Sequence, residues 1–165
     1  MSDLSDEMIG CFEPDLQERK VLIVDDLALV MLGLRSTLID AGVDSADIIE
    51  ATTGEEALSQ WKKNNDQISV IITDNDMPVS GSANALLGIE VIEKISQIYN
   101  AEEREQPLMI LHSNKSQDVE VIEVLDACGA LGVKKNQLND VLPEIQKALG
   151  VYSAPEISSD NGCDL

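Results

Sequence analysis

Three aspartates carry the first chemical signal in this chain. The run Val70-Ile71-Ile72-Thr73 ends in Asp74, and Pro78 four residues on prevents a strand from continuing. A second apolar run, Lys20 to Val24, ends in Asp25-Asp26. Strands rich in β-branched residues that finish in acid place carboxylates at the C-terminal edge of an open α/β sheet, where such sheets bind ligands. Three carboxylates there suit a hard cation and phosphoryl chemistry. Two carboxylates about 4 Å apart repel by about 4 kcal/mol at an effective dielectric of about 20, so the cluster calls for a cation or protons.

The rest of the chain alternates strand and helix in a way that would build such a sheet. After the strand at 20–25 a helix is expected over 27–41, with Gly42 as its stop. A short strand at 48–51 follows. Thr53 then fits the N-cap of a helix running to about residue 64, with Glu56 in capping-box position. The strand at 68–74 leads, past an intervening segment, to a helix over 88–103 with a stripe at Ile89, Ile92, Ile95 and Tyr99. A fourth strand is expected at 108–111 and a helix over 116–127 that buries Val121, Ile122 and Leu125. A fifth strand at 131–135 precedes a helix over 138–149, with Pro143 in its first turn. Five strands each followed by a helix imply a parallel sheet with helices on both faces.

Composition narrows the partners. The 165 residues, expected to form one domain, carry a formal net charge of −20. That balance argues against nucleic acid and anionic membrane, both of which require clustered Lys and Arg. Residues 1–18 contain acids and no base, and read as a solvated acidic extension; 151–165 reads as a disordered tail. No window approaches the roughly 20 apolar residues of a membrane span, and no secretory leader is evident, so a soluble, cytoplasmic protein is expected. Cys11, Cys128 and Cys163 lack metal-ligand spacing and read as free thiols.

Strand–Asp25-Asp26, strand–Asp74-x-x-Met77-Pro78, a strand leading to Ser113 and a strand leading to Lys135, in that order, resemble the receiver domain of two-component response regulators over residues 19–150. The resemblance implies a flavodoxin-like sheet in the order 2-1-3-4-5, and a stand-alone phospho-switch rather than an enzyme acting on a separate substrate. It makes Asp74 the phospho-acceptor. Asp25, Asp26, Asp74 and the backbone carbonyl of Asp76 become the Mg²⁺ ligands. Ser113 would hydrogen-bond the phosphoryl group and Lys135 would supply charge to it. The partners it implies are a histidine kinase or histidine phosphotransfer protein as donor, and a downstream protein that the sequence does not name.

The chain departs from the family in several places. Asn136 follows the lysine where the family has proline; counting from Ser113 favours Lys135, counting from Gly129-Ala130 would put the lysine position at Asn136, and Lys134 is the fallback. No aromatic precedes that lysine on its strand, so a swinging aromatic switch is not expected. Asn114 stands where a small residue is usual. Asp76 and Lys115 fall at positions that tune phosphoryl lifetime; a pair between them, with Asn114, would hinder the attacking water. The segment 79–87 is an insertion between Met77-Pro78 and Gly88, readable as a lid, a contact or a surface loop.

Two further features stand out. The first helix has a sheet-facing stripe at Val30, Leu34, Leu38 and Ala41. A second apolar set at Leu29, Leu32 and Ile39 suits docking of a phospho-donor or another helix. His112, the one histidine, is expected to be a packed strand residue. Two rival readings are a pseudo-receiver that binds without phosphorylation, and a phosphohydrolase using Asp74 and Asp76 as an Asp-x-Asp pair.

Overall fold

A computed structural model describes residues 18–77 and 86–151. Five strands, β1 (Lys20–Val24), β2 (Ile48–Ala51), β3 (Ile68–Thr73), β4 (Leu108–His112) and β5 (Leu131–Val133), form one all-parallel sheet in the order β2-β1-β3-β4-β5. The helices are α1 (Ala28–Asp40), α2 (Gly54–Asn64), α3 (Gly88–Ala101), α4 (Val119–Cys128) and α5 (Leu142–Leu149), with short 3₁₀ turns at Ser45–Asp47 and Leu138–Val141. This is the flavodoxin-like order, and the reversal between β1 and β3 puts Asp25 and Asp74 side by side.

Alternation along the central strands splits the interior into two cores. Leu22, Val24, Ile71, Met109 and Leu111 face Trp61, Ile92, Ile95 and Leu125 from α2, α3 and α4. Val21, Ile23, Val70, Ile72 and Ile110 face Leu34, Leu38, Ile145 and Leu149 from α1 and α5. Strands covered on both faces in this way read as near-continuous apolar runs. Register in such a sheet is strongly specified, because a slip of one residue exchanges the two cores.

Local signals act largely as their chemistry suggests. Thr53 Oγ1 accepts the Glu56 N–H at 3.0 Å, capping α2. Glu56 reaches back not to the cap residue itself but to Thr52, accepting both its N–H and its hydroxyl at 2.9 Å. Gly42, at φ +101°, leaves α1 in a conformation that side chains rarely adopt.

Some expectations need correction. The buried face of α1 is Met31, Leu34 and Leu38, with Val30 only half-buried; the helix therefore sits rotated from the stripe through Val30 and Ala41. Residues 116–118 form turns and α4 begins at Val119. Ile122 is exposed, while Leu125 is buried and Val121 packs at the core's edge. The sheet pairing of β5 ends at Val133, so both candidate lysines lie beyond it. The acidic extension and the C-terminal tail beyond Val151 lie outside the described residues. So does most of the 79–87 insertion, of which only Leu86 and Leu87 are described.

Candidate functional site

The carboxylates of Asp25, Asp26 and Asp74 converge at the C-terminal edge of β1 and β3. Each offers an oxygen within 4.8 Å of the others. Asp74 is buried and held from several sides. Its backbone N–H donates to Val24 O at 2.9 Å, and its Oδ1 accepts the Asn75 N–H at 2.8 Å. Thr73 Oγ1 donates to its carbonyl at 3.0 Å. Asp25 is buried too, and its Oδ1 accepts the Leu27 N–H at 2.9 Å, which fixes the entry into α1. Asp26 is half-buried.

Lys135 supplies the positive charge. Its Nζ donates to Asp74 Oδ2 at 3.2 Å and lies 3.6 Å from Asp25 Oδ2. Lys134 is exposed, so the lysine that reaches the site is Lys135. Burial works against its charge, but the hydrogen bond and charge of Asp74, with Asp25 behind, hold its pKa above the ordinary lysine value. Burial pushes the Asp25 carboxyl up. The Leu27 N–H opposes that shift, and repulsion from Asp74 adds to it. Asp25 Oδ2 is fully buried without a hydrogen-bond donor. A buried carboxylate oxygen between two other acids, with the Lys135 ammonium no nearer than 3.6 Å, is the kind of group a hard, oxygen-seeking cation satisfies.

Ser113 is buried just past β4, its own N–H donating to Val133 O at 2.9 Å. Its Oγ accepts the Lys115 N–H at 3.2 Å, starting the turn toward α4. Asn114 is exposed at the rim. Lys115 Nζ and Asp76 Oδ1 meet at 3.3 Å across the mouth of the site, both side chains more than half exposed. Asp76 thus directs its carboxylate to the rim rather than into the acidic cluster. On α1, Leu29 and Leu32 are exposed, at 84% and 62%, and Leu27 and Ile39 are exposed with them.

Three contributors escaped the sequence reading. Asn75 Oδ1 accepts the Ile89 N–H at 3.2 Å, and Asn75 O accepts the Gly88 N–H at 3.2 Å, so the residue after Asp74 anchors the start of α3. Gly88 has no room for a side chain: a Cβ there would lie 1.9 Å from the Asp74 carbonyl oxygen. His112 is buried as expected, but its Nε2 also meets Lys135 O at 2.7 Å. A lone polar ring next to Ser113, inside an apolar strand, was the available signal for the last.

A doubly covered parallel sheet in this order, with acids at the tips of β1 and β3, is the receiver fold of two-component signalling. Residues 21–145 match the family model described as response regulator receiver domain, and the chain belongs to that family. No match is found among curated protein sequences. Solved structures agree on the fold. A receiver domain protein from Clostridium thermocellum is 20% identical at a TM-score of 0.59, covering 80% of this chain and 94% of its own. The receiver domain of Ssk1 from Saccharomyces cerevisiae, solved in complex with the histidine phosphotransfer protein Ypd1, is 20% identical at 0.61, covering 86% and 95%. A match from the CheX-CheY-BeF3-Mg complex of Borrelia burgdorferi is 24% identical at 0.58, covering 78% and 87%. The family is a signalling family, and no described helix is long and apolar enough to cross a membrane.

Proposed function

We propose that this receiver accepts a phosphoryl group on Asp74 from a phosphohistidine of a histidine kinase or histidine phosphotransfer protein. The observation that carries the reading is the Lys135 ammonium 3.2 Å from Asp74 Oδ2, beside two further carboxylates at one sheet edge. An Asp74 carboxylate oxygen attacks phosphorus while the donor imidazole leaves with the electron pair of the broken P–N bond. The protein's work is positioning and charge stabilisation. Lys135 follows the new negative charge from carboxylate to phosphoryl oxygen, and the Ser113 hydroxyl donates to another.

Asp25, Asp26, Asp74 and the Asp76 carbonyl are the residues that would hold Mg²⁺. The buried, donor-less Asp25 Oδ2 supports that assignment. When bound, the ion would neutralise charge shared between the carboxylates and the phosphoryl oxygens. Leu29 and Leu32, exposed on the helix that begins beside Asp25, suit the donor's docking surface. The Ssk1 receiver's complex with a phosphotransfer protein supports a donor of that class. At the rim, Asp76, Asn114 and Lys115 would obstruct an attacking water and lengthen the life of the acyl phosphate. The outward turn of Asp76 to Lys115 speaks against an Asp-x-Asp phosphohydrolase, which needs both acids at the phosphorus.

The test is intact-protein mass after incubation with acetyl phosphate, with and without Mg²⁺. A single Mg²⁺-dependent phosphate adduct in the wild type, absent from Asp74→Asn, is expected. No adduct from either acetyl phosphate or a phosphorylated donor protein would overturn the reading in favour of a pseudo-receiver.

A further inference from the structure

We propose that His112 is a positioning residue: its imidazole holds the backbone of Lys135 so that the ammonium reaches Asp74. The proposal rests on the reading of Asp74 and Lys135 given above, and adds a residue which that reading does not include.

The argument begins where the sheet stops. β5 ends at Val133, whose carbonyl takes the Ser113 N–H, and past that point no strand pairing holds the chain. Lys135 must still send a long, flexible stem back past β4 to Asp74 at the tip of β3 and Asp25 at the tip of β1. A lysine stem has four rotatable carbons, so its head is placed only as well as its backbone is anchored. Two hydrogen bonds do that anchoring. One is a turn, Gln137 N–H to Lys134 O at 2.9 Å. The other is the His112 ring at 2.7 Å from the Lys135 carbonyl itself. Asn136 follows directly, so the peptide lacks the stiffness that a proline ring would lend it.

The surroundings make the ring the support on this side. His112 is 2% exposed and fixed on the buried strand β4. The ring and the 135–139 segment border one cavity of about 290 Å³, which Gly33 and Thr37 of α1 also line, so the segment faces open space and not packed side chains there. No atom lies within 4 Å of the position a Gly33 Cβ would take, so α1 does not brace the segment at that point. A carbonyl can only accept, so the proton sits on Nε2 and the ring donates. Its Nδ1 has no partner among the described residues, leaving the Lys135 carbonyl as the ring's one hydrogen bond. A buried imidazole with a single bond, made to the backbone of the site's only inward lysine, is placed to aim that lysine.

Two variants separate positioning from packing. His112→Leu keeps a similar apolar volume and removes the donor. His112→Gln puts an amide N–H at nearly the reach of Nε2. The rate of adduct formation from acetyl phosphate is expected to fall about tenfold or more in His112→Leu, since a displacement of about 1 Å can cost up to about 100-fold. In His112→Gln it should return to within about threefold of wild type. Backbone ¹⁵N relaxation at Lys135 and Asn136 provides a readout independent of phosphorylation: added ps–ns mobility in His112→Leu, little in His112→Gln. Equal rates and equal relaxation in wild type and His112→Leu overturn the proposal, as does a parallel loss in both variants, which would mark packing alone. A wild type that forms no adduct sinks the reading of Asp74, and the relaxation comparison still decides the role of His112.

Discussion

The two sides of the acidic cluster are built to different standards. On the β3–α3 side the parts are buried and the tolerances are those of backbone against backbone. Asp74 is tied by its own N–H, its carbonyl and its carboxylate, and Gly88 lies against its peptide with no space for a methyl group. On the β4–α4 side a buried Ser113 starts a turn, and Lys115 beyond it reaches out in an exposed ion pair to Asp76 from just past the end of β3. The first region fixes where Asp74 is. The second ends in side chains open to solvent, which can vary without disturbing the fold. Lys135 bridges the two kinds of construction, its side chain about one-quarter exposed and its partners buried.

Gly88→Ala presses hardest on the rigid side. The added Cβ would fall 1.9 Å from the Asp74 carbonyl oxygen and 2.9 Å from Thr73 Oγ1, so either α3 or the end of β3 must move. Overpacking against backbone costs more than against a side chain that can turn away, and a loss of about 3 kcal/mol is expected. Urea unfolding measures it. A loss below about 1 kcal/mol would mean that the start of α3 yields easily, and the contrast between the two sides would collapse.

Lys135→Met comes next. Without Mg²⁺ it leaves Asp25 and Asp74 facing each other with no counter-charge, and a loss of about 1–3 kcal/mol is expected near neutral pH. The sign with pH follows from the acids. Burial already raises the Asp25 pKa above its ordinary 3.8, so the folded state binds its proton more tightly than the unfolded chain does. Stability then falls as pH rises through that range, and removing Lys135 steepens the fall. The variant should approach wild type near about pH 4 and diverge toward about pH 7, with added Mg²⁺ recovering part of the difference. Urea midpoints across that range check it; a constant offset at every pH would mean that Lys135 contributes packing and not charge.

How much of this was legible in the sequence follows the same division. The strand tips were legible because four apolar runs leading to Asp25-Asp26, Asp74, Ser113 and Lys135 occur in order, where any one alone would read as a loop or cap, and the parallel sheet brings their ends to one edge. Thr53 was legible as a cap because N-capping is local. Contacts created only by the assembled fold were not. Asn75 anchors Ile89 across the insertion, 14 residues away in sequence, and no spacing rule spans a segment of arbitrary length. Met31 replaces Val30 as a buried residue of α1 because an apolar run such as Leu29-Val30-Met31-Leu32 leaves the helix's rotation undetermined. Ile122 was misread for the related reason that α4 carries Val119, Val121, Ile122, Val124 and Leu125 on several sides at once.

Lys115→Ala gives the smallest expected effect and the sharpest discrimination. Its ion pair with Asp76 is 3.3 Å long and more than half exposed on both sides, a setting in which such pairs contribute little to stability. The urea midpoint should therefore stay within about 0.5 kcal/mol of wild type. Kinetics can respond where stability does not. On the proposed reading, removing one member of this exposed pair would open a path for water toward a phosphoryl group on Asp74 while leaving the buried contacts of Asp74 in place. A barrier lowered by under 1 kcal/mol corresponds to a half-life shortened about two- to fivefold. Loss of the phosphate adduct with time, followed by mass in excess Mg²⁺ after the donor is removed, gives that half-life. Unchanged decay would make the pair two surface charges in proximity, and control of hydrolysis would then have to lie with the buried groups. A shortened half-life with an unmoved midpoint would instead show that the exposed side is free to set timing because the buried side has already set position.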